Sequence, residues 1–178
     1  VETDRSETSQ SLDANKPYAI YISGIDTYGS ISTTSRSDVN ILMAINPAKR
    51  KLLLVNTPRD YYVQLHSTTG TLDKLTHAGV YGVDMSRQTV EDLYDVEIPY
   101  YARINFTSLI NVLDAIGPID VYSDYDFGPY QSGYNTLNGK QALEFSRERK
   151  SFQEGDRQRG RNQQHTIEAI IAKMSRPE

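Results

Sequence analysis

Val39-Asn40-Ile41-Leu42-Met43-Ala44-Ile45, then Asn46-Pro47-Ala48-Lys49-Arg50, then, after Lys51, Leu52-Leu53-Leu54-Val55: two short apolar runs stand either side of a polar turn. Each run is too short for an ordinary helix and is bounded by turn residues, so each reads as a strand, and the connection predicts an antiparallel hairpin. That hairpin decides the fold class. Strands and helices alternate through the rest of the chain, which alone would give a parallel sheet. An antiparallel pair in the middle spoils that order and predicts an α/β or α+β single domain, a mixed central β-sheet flanked by helices on both faces.

Upstream, Tyr18 to Ile25 is another strand candidate, ending in Gly24-Ile25-Asp26. Between it and the hairpin, the stretch from Asp26 to Asp38 is rich in Ser and Thr, a loop that is either disordered or built to hold a ligand. Residues 1–16 are polar with almost nothing to bury and are expected to form a flexible lead-in, such as a tether, to a domain over 17–178. The chain opens on Val1 with no signal-peptide pattern, so a targeting segment is expected to lie outside it.

Downstream, Tyr61 to Leu65 reads as a short strand and Thr71 to Asp95 as helical, with Leu72, Leu75 and Ala78 on one face, breaks at Gly79 and Gly82, and Asp84 capping a second helix. Ile98 to Phe106 is a strand, Thr107 the expected cap of a helix that Gly117-Pro118 stops, and Ile119 to Tyr122 a strand again. Asp124 to Thr136 reads as a loop and Asn138 as a helix cap. In the last helix, Ile167, Ile170, Ile171 and Met174 predict a packed far end that leaves the Arg157 to Gln164 end free.

Charge is unevenly placed. The stretch Ser146 to Gln164 holds Arg147, Arg149, Lys150, Arg157, Arg159 and Arg161 against Glu148, Glu154 and Asp156; its +3 within a total of −4 leaves −7 for everything else. Arginine presents a planar fork that grips phosphate oxygens in pairs, so a phosphate-bearing ligand is the first reading, with a solvated basic face as the bland one. A sequence pI near 5.4 argues against a nucleic-acid-binding regulator. The absence of cysteine excludes disulfides, a thiolate nucleophile and cysteine-held zinc. Asp26 and Asp38 flank one loop, Arg59-Asp60 ends a strand, and the arginines follow; carboxylates suit magnesium and arginines neutralise charge on phosphoryl oxygens.

Five segments in this order, Ser23-Gly24-Ile25-Asp26, Ser35-Arg36-Ser37-Asp38-Val39-Asn40, Asn56-Thr57-Pro58-Arg59-Asp60, Leu137-Asn138-Gly139-Lys140-Gln141-Ala142-Leu143, and Arg147-Glu148-Arg149 with Gly155-Asp156, Arg159 and Gln163-Gln164, resemble the LytR-CpsA-Psr family of cell-wall ligases. The resemblance implies a phosphotransferase at the extracytoplasmic face of the membrane, anchored by an N-terminal segment missing from this chain. It would move a glycopolymer, capsular polysaccharide or wall teichoic acid, from a polyprenyl pyrophosphate carrier to peptidoglycan, with the lipid tail in an apolar tunnel and no nucleic-acid partner. Carried over by position, Asp26 and Asp38 would hold Mg2+, and Arg36, Arg59, Arg147, Arg149, Arg159 and Gln163 would bind the head group. Arg59, Asp38 and Asp60 are the catalytic candidates, the two carboxylates as possible bases. Asn162 stands where the family often has arginine, which leaves Asn162 and its neighbour Arg161 without a role. A non-catalytic polyprenyl-phosphate-binding module is the alternative.

Overall fold

The computed structural model describes residues 15–32 and 34–175, so the expected lead-in lies almost wholly outside the described residues. The hairpin forms: β2 (Val39–Asn46) and β3 (Lys51–Asn56) pair antiparallel with Met43 opposite Leu54. β1 (Tyr18–Gly24) pairs antiparallel with β2 and parallel with β6 (Tyr100–Ile104), giving a mixed sheet in the order β3-β2-β1-β6.

Strand alternation assigns the two faces. Ala19, Tyr21 and Leu42 point to one face, where they form a core with Val63, Leu65, Leu75, Ala78, Val83, Val90 and Ile98. Over that face lie the two-residue strands β4 (Tyr62–Val63) and β5 (Asp73–Lys74), α1 (Leu75–Ala78), a 3-10 turn (Gly79–Tyr81) and α2 (Val83–Tyr94). Ile20, Ile22, Ile41, Met43 and Leu54 point the other way, towards α5 (Gly155–Met174), whose Gln164 Nε2 donates to the Leu54 carbonyl at 3.2 Å. A second core joins α3 (Phe106–Ile116), the ribbon of β7 (Ile119–Ser123) and β8 (Gly133–Leu137), α4 (Gly139–Arg147) and α5, around Leu113, Val121, Phe127, Phe145 and Ala169. Each fully buried large side chain in these cores contributes about 1.5–3 kcal/mol.

Several boundaries differ from the sequence expectation. Asp73 and Lys74 are strand, so Leu72 is outside the helix and half exposed. Gly82 occupies the cap position of α2, with Asp84 in its first turn. Asn105, not Thr107, caps α3: its side chain accepts from Ser108 N while the Ser108 hydroxyl accepts from Asn105 N, and Thr107 Oγ1 instead accepts from Gly29 N at 2.9 Å. Asn138 does cap α4, with Gln141 answering it in the same reciprocal way. Part of the Asp124 to Thr136 loop is strand β8, and β7 pairs with it instead of joining the central sheet.

The last helix corrects the expectation most. Its near end, expected to be free, is buried at Gln158, Gly160 and Asn162, while beyond it Ala169 and Ile170 pack on the second core and Met174 is exposed. Gly160 lies against Asn56 so closely that a β-carbon there would collide with the Asn56 amide. A helix backbone can approach a strand end that tightly only without a side chain.

Candidate anion site at the strand ends

The sheet register brings the functional segments to one edge. Gly24 ends β1 opposite Val39, which begins β2, and Asn56 ends β3 opposite Ile41, so Asp26, Asp38 and the Thr57–Asp60 turn emerge together. The Ser/Thr-rich loop between Asp26 and Asp38 is pinned from below. Ser37 Oγ meets Ser23 Oγ at 2.8 Å, Asn40 Nδ2 donates to the Ser37 carbonyl, and Tyr21 OH donates to Asn40 Oδ1 at 2.7 Å, all in the interior. Ser35 N donates to the Gly79 carbonyl, and Gly79 packs so tightly against the Ser35 carbonyl that no side chain would fit. Such over-determination holds a ligand loop in one shape before anything binds.

Asp38, mostly covered, accepts from Arg59 Nη1 at 2.8 Å, and its own backbone N–H is tied to the Gly24 carbonyl. Arg59 is therefore aimed by the loop as well as by its own turn, where its carbonyl accepts from Thr76 N. The hydrogen bond it donates to Asp38, against the cost of burial, pushes the guanidinium pKa up. Its Nε is buried with no hydrogen-bond partner, the Asp60 carboxylate standing too far off at 3.6 Å. One residue beyond Asp26, the Thr27 hydroxyl is also buried and unpartnered. A buried donor left unmade costs about 1–3 kcal/mol, which an incoming acceptor would recover.

Asp26 makes no ion pair with the described residues. Burial of its inner side, then the charge on Asp38, push its carboxyl above the usual range, while Arg147, Arg159 and Arg59 pull it back. Arginines far apart in the chain thus act on one carboxylate. The carboxylates and the arginines meet directly at the Arg59–Asp38 pair. Arg147 leaves the end of α4 over the Phe106 ring, 4.2 Å from its centroid, a cation–π contact that orients the guanidinium. Arg159, on the first turns of α5, and Arg149 share the exposed Asp156 Oδ1 at 3.3 and 3.6 Å. An anion could displace that solvent-facing carboxylate, because exposed pairs hold weakly.

Gln163 lies one turn beyond Arg159 on α5, half-buried, its side chain without a hydrogen bond to the described residues. Arg36 is exposed and, as with Gln163, its side chain makes no hydrogen bond or ion pair with the described residues. Asp60 accepts from Lys74 Nζ at 2.8 Å, and that bond first, with the charges of Lys74 and Arg59 behind it, holds its carboxyl below the usual range. A carboxylate made less basic is a poor proton acceptor, which weakens Asp60 as a base. Asn162 is structural: buried, it donates to the Phe145 carbonyl and accepts from Gln158 Nε2 at 3.1 Å, locking α5 onto α4. Arg157, beside it, is exposed and paired with Glu154.

Three contributors escaped the sequence reading. Lys74 anchors Asp60, Phe106 carries Arg147, and Arg103 Nη2 donates to the Ser35 carbonyl at 2.8 Å, bracing the loop next to Arg36. Only Arg103 had a signal, a cation inside an otherwise apolar and aromatic strand. Metal-site geometry is sparse: among the described residues no group of three or more His, Asp or Glu side chains converges. Asp26 and Asp38 could supply two hard oxygens, and their mutual repulsion fits a divalent cation that takes its remaining ligands from water and phosphate.

Fold and site together define an α+β domain whose strand ends present paired carboxylates to a ring of arginines. The LytR_cpsA_psr family model matches residues 1–178, and the chain belongs to that family. It is 33% identical over 177 residues to the polyisoprenyl-teichoic acid–peptidoglycan teichoic acid transferase TagU of Bacillus licheniformis, covering 97% of this chain and 57% of that protein. Among solved structures, Bacillus subtilis TagV superposes with a TM-score of 0.81 at 31% identity, over 92% of this chain and 67% of that one. TagT bound to LI-WTA superposes with a TM-score of 0.77 at 30% identity, over 94% and 68%. The chain thus spans somewhat more than half the length of the curated relative.

Proposed function

We propose that this domain transfers a glycopolymer from a polyprenyl pyrophosphate carrier to peptidoglycan and releases polyprenyl phosphate, using Mg2+. The observation that carries the reading is the Arg59–Asp38 pair, with an unmade buried donor on Arg59, set among Arg147, Arg159 and the strained Asp26. The names of the relatives, which describe teichoic acid transfer from a polyisoprenyl carrier, support the substrate class.

In this reading an acceptor hydroxyl attacks the sugar-linked phosphorus. The new P–O bond forms as the bridging P–O bond breaks, polyprenyl phosphate leaves with the bridging oxygen, and the hydroxyl proton passes to a carboxylate or to water. Arg59, Arg147, Arg149 and Arg159 hold the phosphoryl oxygens and neutralise charge that grows as the bridge breaks; Gln163 adds an uncharged donor on the same helix face. Asp38 aims Arg59, and Asp60 with Lys74 fixes the turn that carries it. Asp26 and Asp38 would hold the magnesium ion, which would supply further charge neutralisation for the phosphoryl oxygens. Arg36 closes over the head group from the exposed side of the loop. The membrane-facing, extracytoplasmic setting and its anchor belong to the same proposal; no helix among the described residues is long and apolar enough to cross a membrane.

The test supplies the purified domain with a polyprenyl pyrophosphate-linked glycopolymer and peptidoglycan, and follows label into the insoluble wall with magnesium or with chelator. Metal-dependent incorporation, lost in Arg59→Ala, is expected. Tight lipid binding without incorporation at any metal concentration would leave a carrier-binding module instead of an enzyme.

A further inference from the structure

The end of the sheet opposite the arginine site carries a second, separate basic feature. The β2–β3 turn presents Lys49, Arg50 and Lys51 in succession, all exposed and with no acidic partner among the described residues. The turn itself is rigid: Asn46 Oδ1 accepts from Lys49 N at 3.0 Å, Arg50 N donates to the Pro47 carbonyl, and Arg50 adopts a left-handed φ of 50°. Directly after the three cations come Leu52 and Leu53, 41% and 59% exposed, one on each face of the edge strand. Cations held in a fixed array immediately beside uncovered leucines form the two halves of an interfacial contact. Beneath the turn, a hollow of about 310 Å³ lined by Met43, Ile45, Leu52 and Ile171 opens at the same end.

From these observations we infer that the β2–β3 turn is a docking surface for an anionic lipid bilayer, Lys49, Arg50 and Lys51 meeting the head groups while Leu52 and Leu53 enter the acyl boundary. Charge complementarity selects the partner, since three unpaired cations project from a chain that is −4 overall. A soluble polyanion would satisfy the cations but offer nothing to the leucines, so a bilayer fits both. The inference goes beyond the proposed transfer reaction and stands on the turn alone. If it holds, the eight-residue β2 separates the membrane from the arginine site by roughly 25 Å, at about 3.4 Å per residue.

Co-sedimentation of the whole chain with vesicles tests it. Binding to vesicles of phosphatidylglycerol and phosphatidylcholine, weakened by salt and absent from phosphatidylcholine alone, is expected. The combination Lys49→Gln, Arg50→Asn and Lys51→Gln should lower the partition coefficient on the order of 100-fold, Asn being at ease in the left-handed position. Leu52→Ser with Leu53→Ser should lower it about tenfold while keeping the salt slope. Arg147→Ala with Arg149→Ala should retain binding. Loss of binding in that arginine variant but not in the turn variant would overturn the inference, as would equal binding to soluble teichoic acid and vesicles, or dimerisation of the chain through β3 in the absence of lipid.

Discussion

At the level of single residues, Arg59 and Asp26 carry opposite stresses. Arg59 is gripped by Asp38 through one terminal nitrogen and leaves its Nε unmade, so its value to a ligand lies in the shape of the fork as much as in its charge. Arg59→Lys keeps the charge and loses the fork, and kcat in the transfer assay should fall about tenfold or more with the fold intact by circular dichroism. Unchanged turnover would reduce Arg59 to a point charge. Asp26 is strained in its ionised form, by burial and by Asp38. Its folded-state pKa lies above its unfolded value, so the folded protein binds that proton more tightly, and stability falls as pH rises from the unfolded pKa through the folded one. In chelator at neutral pH the penalty is fully present, and Asp26→Asn should melt a few degrees above the parent. The advantage should vanish in acid, below the ordinary aspartate pKa. A neutral-pH melting point equal to or below the parent's would show that Asp26 is not strained.

Among the elements, α5 shows what sequence periodicity misses. Its isoleucines at helical spacing suggested that the far end packs, yet the near end is held by Gln158, Gly160 and Asn162, polar or small residues whose burial follows from hydrogen bonds and close approach, not from hydropathy. Asn162→Ala removes the side-chain donor to the Phe145 carbonyl and leaves the Gln158 amide only Asp124 as acceptor, at a cost of about 1–3 kcal/mol, or a melting point lower by roughly 2–4 °C per kcal/mol. Since Arg159 and Gln163 ride on the same turns, head-group affinity should fall with it; a thermally neutral Asn162→Ala would mean that the knot is dispensable. The same contrast runs along the chain. β1, β2 and β3 are legible because short runs of Ile, Leu, Val and Tyr bounded by turn residues read as strands, even where, as in β3, the strand is an exposed edge, and the carboxylates because they follow strand ends directly. β8, written Gly-Tyr-Asn-Thr-Leu, looks like turn, and β5 is only Asp-Lys, so pairing alone makes them strands. The α3 cap was misplaced by two residues since Asn105, Thr107 and Ser108 are all cap formers, and only geometry shows which one faces the free amides. Lys74 and Arg103 carry no motif, and their contribution exists only where β4–β5 and β6 bring them against the loop.

Across the whole molecule the two faces of the central sheet are finished differently. Under α2 the first face is well covered, with Tyr21 and Leu75 fully buried, although near the β2–β3 turn Ala19, Ala44 and Leu53 border an open hollow of about 430 Å³. On the α5 face Ile20, Met43, Ile45 and Leu54 are only partly covered and belong to neither core, and Met43 and Ile45 line the hollow beside Ile171. An apolar layer left half-filled between sheet and helix forfeits dispersion contacts unless something apolar enters it. The arginine site lies at one end of these strands and the basic turn at the other, so an isoprenoid chain with its phosphate among the arginines would run along this face. Each isoprene unit seated there adds several tenths to a few kcal/mol at about 25 cal/mol per Å². Affinity for polyprenyl monophosphates should therefore climb steeply with chain length and then level once the chain outgrows the face. Met43→Asp places a charge in the middle of the layer without touching any arginine. It should flatten the chain-length dependence while leaving the affinity for the shortest, geranyl phosphate, nearly unchanged, because that ligand is held by its phosphate alone. Isothermal titration over a chain-length series, in the parent and in Met43→Asp, reads both effects. A parent protein that binds geranyl and decaprenyl phosphate equally well would mean that the open face is not where the lipid lies.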